Sequence, residues 1–138
     1  MEESFILLVE DSPSEIALTR RALARNHVPI PVRVVEDGQD AIDFLEKATI
    51  LPVLILLDLK LPRVDGIEVL RYIRTTQRTR RAPVVMLSSS NEAKDLERCY
   101  DAGANSYIRK PVDFAEFERT VDLIIRYWLG ANTPPPRL

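Results

Sequence analysis

The sequence predicts an α/β fold in which helices cover both faces of a parallel sheet. Five short runs rich in apolar and β-branched residues lie along the chain, and a helical pattern follows each of them. The runs are "FILLV" at 5–9, "VRVV" at 32–35, "VLILL" at 53–57, "PVVML" at 83–87 and "SYIR" at 106–109. The third run is apolar without alternation, which is typical of a strand buried on both faces of a sheet.

Polar caps predict where the helices between these strands begin. Ser12 stands before Pro13 and three residues before Glu15, which is the spacing of a capping box with proline at the first helical position. The other predicted starts are Asp65 with Gly66 for the third helix, Ser90 or Asn91 for the fourth, and Asp113 with Glu116 for the fifth.

The last helix is predicted to bury one stripe of side chains and to end at Gly130. The stripe consists of Phe117, Val121, Ile124 and Trp128. The prolines in "NTPPPRL" cannot continue a helix. We therefore expect one domain over residues 1–130, a flexible proline-rich C-terminal tail over residues 131–138, and no further domain.

Composition limits the classes of partner and compartment. A formal net charge of -2 does not attract nucleic acid or an anionic membrane, so we expect direct binding to neither. The segment 74–82 is basic, and positive charges are favoured there because the carboxyl end of the third helix attracts cations. The single cysteine, Cys99, permits no internal disulfide. Neither a secretory signal nor a membrane-spanning run is present, which predicts a cytoplasmic protein.

Acidic, hydroxyl and basic residues follow the predicted strands. Glu10 and Asp11 follow the first strand, Asp58 the third, Ser88 the fourth and Lys110 the fifth. Because the carboxyl ends of parallel strands meet at one edge of the sheet, we expect these side chains to share a pocket. If the first and third strands are neighbours, three carboxylates crowd together and repel one another.

A divalent cation would relieve this repulsion. Carboxylate oxygens suit Mg²⁺ (or Mn²⁺), whereas zinc fits poorly because His27 and Cys99 lie outside the acidic cluster. With the cation on one side and Lys110 on the other, a phosphoryl group could be transferred to the carboxylate of Asp58. The sequence thus predicts that Asp58 is a nucleophile.

Four motifs in this order resemble the receiver domain of two-component response regulators, the CheY-like family. They are "VED" at 9–11, "LLDLKLPRVDG" at 56–66, "VVMLSS" at 84–89 and "GANSYIRKP" at 103–111. The resemblance covers about residues 4–129. It implies a flavodoxin-like, doubly wound sheet of five parallel strands in the order 2-1-3-4-5 with five flanking helices.

The resemblance also implies a role for each site residue. Asp58 would accept a phosphoryl group from a sensor histidine kinase. Glu10, Asp11 and Asp58 would bind Mg²⁺ (or Mn²⁺) together with the backbone carbonyl of Lys60. The lysine side chain at position 60 is a departure from the usual pattern that bears on the lifetime of the acyl phosphate.

The remaining implied roles concern the phosphoryl group and a conformational switch. Lys110 would pair with the phosphoryl charge, and a cis Lys110–Pro111 bond would aim its side chain at the pocket. Ser88 would bind a phosphoryl oxygen and move, which lets the ring of Tyr107 turn inward. A fixed packing role for Tyr107 is the alternative.

The segments "RCYDAGANSYIRKPVDF" (98–114) and "YWLGANTPPP" (127–136) resemble those of single-domain regulators paired with phytochrome-type or other hybrid sensor kinases. That resemblance implies a homodimer through the C-terminal helix region. Without an output domain, signalling would act through contacts with a downstream protein target.

Two other functions remain as alternatives. A scaffold-type receiver without phosphorylation is disfavoured because the acidic, hydroxyl and lysine residues are all present. An aspartyl-phosphate phosphatase is disfavoured because Lys60 stands where haloacid-dehalogenase-type enzymes carry their second acid. We therefore expect a phospho-accepting module that is not an enzyme beyond slow self-dephosphorylation.

Overall fold

The structure, a computed structural model, describes residues 4–25 and 30–136. The prediction for His27 and the last two residues of the tail lie outside this part of the chain. Strands and helices alternate along the described residues. Their bounds are β1 Ile6–Val9, α1 Pro13–Ala24, β2 Val32–Val35, α2 Gly38–Lys47, β3 Leu54–Asp58, α3 Gly66–Thr75, β4 Val84–Ser88, α4 Ala93–Asp101, β5 Ser106–Arg109 and α5 Phe114–Arg126.

The five strands form one parallel sheet in the order β2-β1-β3-β4-β5. This confirms the predicted α/β class and the doubly wound, flavodoxin-like arrangement. The order reverses between β1 and β3, which lie side by side in the middle of the sheet. Ligands of such folds bind beyond the carboxyl ends of the strands at this reversal.

Alternate strand residues pack into two separate cores. On one face, Leu7 of β1 and Ile55 of β3 pack in a cluster with residues of α2, α3 and α4. On the other face, Ile6 and Leu8 of β1 pack with residues of α1 and α5. Burial on both faces explains why the central strands β1 and β3 are apolar up to the residues at their carboxyl ends, and it holds those ends in fixed positions.

Two strands end one residue later than the sequence predicts. Asp58 and Ser88 were expected directly after β3 and β4, but each is the last residue of its strand. Their backbones still pair with the neighbouring strand, Asp58 opposite Leu87 and Ser88 opposite Arg109. Sheet hydrogen bonding therefore fixes the backbone of both residues.

Three of the predicted helix starts are confirmed. Ser12 Oγ accepts from Glu15 N, Asp65 Oδ1 from Glu68 N, and Asp113 Oδ2 from Glu116 N. The fourth is wrong, because α4 begins after Glu92, which makes no side-chain cap bond. Ser90 Oγ accepts from Glu92 N instead and stabilises the turn before the helix.

Gly130 does not end the last helix. A π-helical turn, Tyr127–Ala131, continues α5 through this glycine, and Asn132 N donates to Tyr127 O at 2.6 Å. A glycine that ends a helix usually has a positive φ. Among the glycines of the described residues only Gly103, after α4, has one. The predicted stripe is buried at Phe117, Val121 and Ile124, and Trp128 is partly buried beside it.

The described part of the C-terminal tail lies at the amino-terminal edge of the sheet, opposite the acidic residues. Arg81 Nη1 donates to Pro136 O at 3.5 Å. Trp128 and residues 134–136 line an open groove of about 680 Å³ there, together with Val53 and Pro83, which precede β3 and β4. The flexibility of the tail stays a prediction. Within the described residues, no helix has the length and hydropathy needed to cross a bilayer.

Candidate functional site

The three predicted carboxylates lie together at the carboxyl edge of the sheet. Glu10 and Asp11 follow β1, and Asp58 ends the neighbouring strand β3. One ligand oxygen from each residue lies within 4.8 Å of the other two. Glu10 is buried, Asp58 is partly buried and Asp11 is exposed. The position of β1 beside β3 thus brings together residues that are almost fifty positions apart.

Backbone N–H groups hold two of these carboxylates in place. Glu10 Oε1 accepts from the N–H groups of Asp11 and Ser12, both at 3.1 Å. Asp58 Oδ1 accepts from Leu59 N at 2.9 Å. Such bonds fix the direction of a carboxylate and compensate part of the cost of burying its charge.

Lys110 brings a positive charge to the same place. Its Nζ lies 2.7 Å from Glu10 Oε2, 2.9 Å from Glu15 Oε1 and 3.8 Å from Asp58 Oδ1. Its backbone N donates to Ser88 O at 2.8 Å, which ties the ends of β4 and β5 together. The predicted cis bond is wrong: no peptide bond of the described residues is cis, so Lys110–Pro111 is trans. The trans form is the intrinsically favoured one, and Lys110 reaches the acids from it.

Burial and like charges change the protonation of this cluster. Burial raises the pKa of Asp58 to about 7; Lys110 lowers it in part, while Glu10 and Glu15 raise it further. Burial alone would lower the pKa of Lys110, but hydrogen bonds from its ammonium to Glu10 and Glu15 outweigh this, so its pKa is raised. Near neutral pH the Asp58 carboxyl group therefore gains a proton, and loses its negative charge, far more readily than an exposed aspartate does.

The oxygen donors present fit a divalent cation such as Mg²⁺ or Mn²⁺. Three carboxylates within reach of one ion, one of them exposed to water, form the hard donor set that these cations prefer. Lys60 and Asp11 both line an open cleft at this edge of the sheet. The expectation that its backbone carbonyl completes the site stays a prediction.

A second group of polar residues connects Ser88 to Tyr107. Ser88 is buried, and its Oγ accepts from Ser90 N at 3.1 Å. The hydroxyl of Tyr107 donates to Ser90 O at 3.0 Å, and Ser90 Oγ donates to Asp95 Oδ2 of α4 at 2.6 Å. Ser90 therefore links the Ser88 hydroxyl, the start of α4 and the ring of Tyr107.

Sequence reasoning missed three of these residues. Glu15 was interpreted as part of a capping box, Ser90 as a cap of α4, and Asp95 was not singled out. The one available signal for Glu15 was its place in the first turn of a helix that begins directly after two acids. The contacts of all three depend on tertiary packing, which sequence spacing does not reveal.

Comparison with known proteins gives a family and several close relatives. The family model described as the response regulator receiver domain matches residues 6–122. The probable methanogenesis regulatory protein FilR2 of Methanothrix harundinacea is 42% identical over 139 residues, covering 97% of this chain and 90% of the relative.

Two solved structures are similar over nearly the whole chain. The phosphorylated cyanobacterial phytochrome response regulator RcpA is 38% identical with a TM-score of 0.91, covering 98% of this chain and 100% of that one. The Mn²⁺-bound form of the response regulator Rcp1 is 33% identical with a TM-score of 0.88, covering 96% and 99%. One of these neighbours is phosphorylated and the other binds a divalent metal.

Proposed function

The chain belongs to the response regulator receiver domain family of two-component signalling, and we propose that it accepts a phosphoryl group on Asp58. The observation that carries the proposal is the cluster of three carboxylates with an ammonium group beside them. The phosphorylated state of the neighbour RcpA supports it. The donor would be a sensor histidine kinase.

The proposed step transfers a phosphoryl group from nitrogen to oxygen. The bond between phosphorus and the imidazole nitrogen of the donor histidine breaks, and its electron pair stays on the imidazole. A new bond forms between phosphorus and a carboxylate oxygen of Asp58. Lys110 would pair with the oxygens of the arriving group, since its Nζ is 3.8 Å from Asp58. The domain is then an acceptor and not an enzyme beyond slow self-dephosphorylation.

Glu10, Asp11 and Asp58, with the carbonyl of Lys60, would bind the divalent cation. When bound, Mg²⁺ or Mn²⁺ offsets the charge of the carboxylates and of the phosphoryl oxygens. The Mn²⁺-bound form of Rcp1 supports this assignment. Backbone N–H groups orient Glu10, and pairing of β3 with β4 holds Asp58, so both acids are positioned before a cation arrives.

We further propose that Ser88 and Tyr107 carry the signal away from Asp58. A Ser88 hydroxyl that turns towards a phosphoryl oxygen loses its bond from Ser90 N. Because Tyr107 is bound to the carbonyl of the same Ser90, a shift of Ser90 changes the support of the ring. The surface around β5 and α4 then changes shape for a downstream protein target.

The proposed kinase is of the phytochrome type or a hybrid sensor kinase, and the likeness to RcpA supports the first of these. We expect the pair to meet in the cytoplasm without membrane or nucleic-acid contact.

A homodimer through the C-terminal helix region is supported by two apolar side chains, Leu123 at 68% exposure and Tyr127 at 52%. Replacing Leu123 with aspartate would then lower the mass measured by light scattering to that of a monomer.

One experiment tests the phosphoryl acceptor. The protein is incubated with phosphoramidate and Mg²⁺, and its intact mass is measured. We expect a gain of one phosphoryl group in the wild type and in the control Glu36→Gln, whose exposed carboxylate follows β2 at the same edge of the sheet. The gain should disappear in Asp58→Asn and in the presence of excess chelator.

The other outcomes point to the alternatives. A wild-type protein that gains no mass while its variants fold normally would favour the scaffold. Continuous release of phosphate from phosphomonoesters would favour the phosphatase. A gain in mass that persists in Asp58→Asn would show that another residue is the acceptor.

A further inference from the structure

Glu15 makes a contact that its position in the helix does not require. In a full capping box the Glu15 side chain would accept from Ser12 N. That N–H donates to Glu10 Oε1 instead, at 3.1 Å. The carboxylate of Glu15 is therefore free to reach Lys110, whose Nζ donates to Glu15 Oε1 at 2.9 Å. A residue of α1 thus joins the site formed by β1, β3 and β5.

The two glutamates determine where the Lys110 ammonium lies. Nζ is within hydrogen-bond distance of Glu10 and Glu15, while Asp58 at 3.8 Å is beyond it. The Lys110 side chain is only 9% exposed, so water competes little for its donors. Asp58 is the nearest remaining carboxylate, and a lysine released from Glu15 would move towards it.

A lysine ammonium bound to Asp58 would compete with a divalent cation for the same oxygens. We propose that Glu15 is a positioning residue that, with Glu10, holds the Lys110 ammonium away from Asp58 and so keeps that carboxylate open to a divalent cation. This inference rests on the proposed function in its assignment of Asp58 as a metal ligand.

Glu15 is better suited than Glu10 to release the lysine. Glu10 is buried, and its other oxygen is held by two N–H groups. The side chain of Glu15 is 40% exposed, and Lys110 is its one hydrogen-bonding partner recorded within residues 4–25 and 30–136. A carboxylate at the rim can turn into water when a phosphoryl group on Asp58 draws the lysine inward.

A double-mutant cycle separates this role from the simple effect of a negative charge. Binding of Mn²⁺ is measured by calorimetry without any phosphodonor in wild type, Glu15→Gln, Lys110→Met and the double variant. We expect Glu15→Gln to weaken Mn²⁺ binding roughly fivefold, the scale of one close charge interaction in water. In the Lys110→Met background the same substitution should have less than about half of this effect on the logarithm of the affinity.

The control is Glu36→Gln, which removes a carboxylate at the same edge of the sheet and should change affinity less than about twofold. Thermal unfolding checks that each variant is folded. An equal loss of Mn²⁺ affinity in both backgrounds would mean that Glu15 acts through its charge alone and would overturn the proposal. So would unchanged Mn²⁺ binding in Glu15→Gln.

A second readout follows the lysine directly. In protein labelled with ¹⁵N-lysine, the Nζ resonance of Lys110, assigned by its loss in Lys110→Met, should move in Glu15→Gln and stay in place in Glu36→Gln. A Lys110 Nζ resonance that does not shift in Glu15→Gln would contradict the contact between Glu15 and Lys110. Because neither measurement uses phosphorylation, a protein that binds Mn²⁺ as described but gains no phosphoryl group would refute the proposed function and leave this inference standing.

Discussion

Two glycines of the chain differ in what a methyl group would meet. A Cβ on Gly66, the first residue of α3, would lie 2.3 Å from Asp58 O, whereas a Cβ on Gly130 would meet no atom within 4 Å. Helix propensity alone would favour alanine at position 66 by about 1 kcal/mol. The overlap with backbone atoms is the larger effect, because neither element can shift without moving the other.

Gly66→Ala is therefore expected to lower the free energy of unfolding by about 1–3 kcal/mol, the usual cost of overpacking. Gly130→Ala, the control, should raise it by about 0.5 kcal/mol, since alanine restricts the unfolded chain and Gly130 does not have a positive φ. Urea unfolding measures both. Equal stability of Gly66→Ala and wild type would contradict the close approach of α3 to β3.

Cys99 illustrates how burial controls chemical reactivity at a single residue. Its side chain is fully buried in α4, and burial, with the Asp95 carboxylate adding to it, raises the pKa of the thiol to about 11. At pH 8 the thiolate is then about one part in a thousand of the total.

We therefore expect native protein to react with a thiol reagent at pH 8 only as fast as it opens or unfolds. Labelling should become fast in urea, where the thiol returns to its ordinary pKa. The labelling rate is measured with a disulfide reagent that releases an absorbing thiolate when it reacts. Rapid labelling in native buffer would show that α4 opens readily.

At the scale of elements, arginine hydrogen bonds help to join the end of α3 to its neighbours. Arg74 donates from Nε to Gly103 O and from Nη1 to Ala82 O, both at 2.7 Å, and its Nη2 donates to Asn105 Oδ1. The basic segment 74–82 was interpreted as favouring a helix end by its charge. Arg74, Arg78 and Arg81 also donate to backbone carbonyl groups, which gives this part of the segment a structural role.

Replacing Arg74 with alanine would leave several carbonyl groups without their charged donor. We expect a loss of about 2–3 kcal/mol in the free energy of unfolding. Arg71→Ala is the matched control, because Arg71 is 58% exposed and its one ion pair within the described part of the chain is with Glu68, one turn away. An exposed pair of this kind contributes a few tenths of a kcal/mol at most. Chemical denaturation of the two variants should separate them clearly, and similar losses would refute the bridging role of Arg74.

Helix starts and helix ends were not equally predictable. The caps at Ser12, Asp65 and Asp113 were correct because a side chain bonds a backbone N–H only a few residues away. The end at Gly130 was wrong because glycine permits a positive φ without requiring it. Which conformation it adopts depends on how Trp128 and the residues after it pack.

At the scale of the whole molecule, a bound cation should link the site to global stability. A ligand present at a hundredfold excess over its dissociation constant stabilises the fold by about 2.7 kcal/mol. We expect the melting temperature of wild type to rise with Mg²⁺ and that of Asp58→Asn to rise much less, as measured by calorimetry. If Mg²⁺ raises the melting temperature of both proteins equally, the cation binds elsewhere.

The strand pattern predicted most of the fold and the place of the site. Unbroken apolar runs such as 53–57 identified a sheet covered on both faces, and parallel strands necessarily bring Asp11, Asp58 and Lys110 to one edge. Pairing among the side chains was not predictable in the same way. Glu15 can bond either to its own helix or to Lys110. Which bond forms depends on whether the Glu10 carboxylate accepts from Ser12 N.

The only tryptophan of the sequence, Trp128, lies at the far rim from the acids, beside residues that precede the strands. The two ends of the sheet can therefore be observed separately. The fluorescence of Trp128 would change when the proline-rich segment docks in this groove. It would not change when an ion or a phosphoryl group binds at the opposite edge of the sheet. An optical signal for chemistry at Asp58 would need an aromatic probe introduced near the opposite rim.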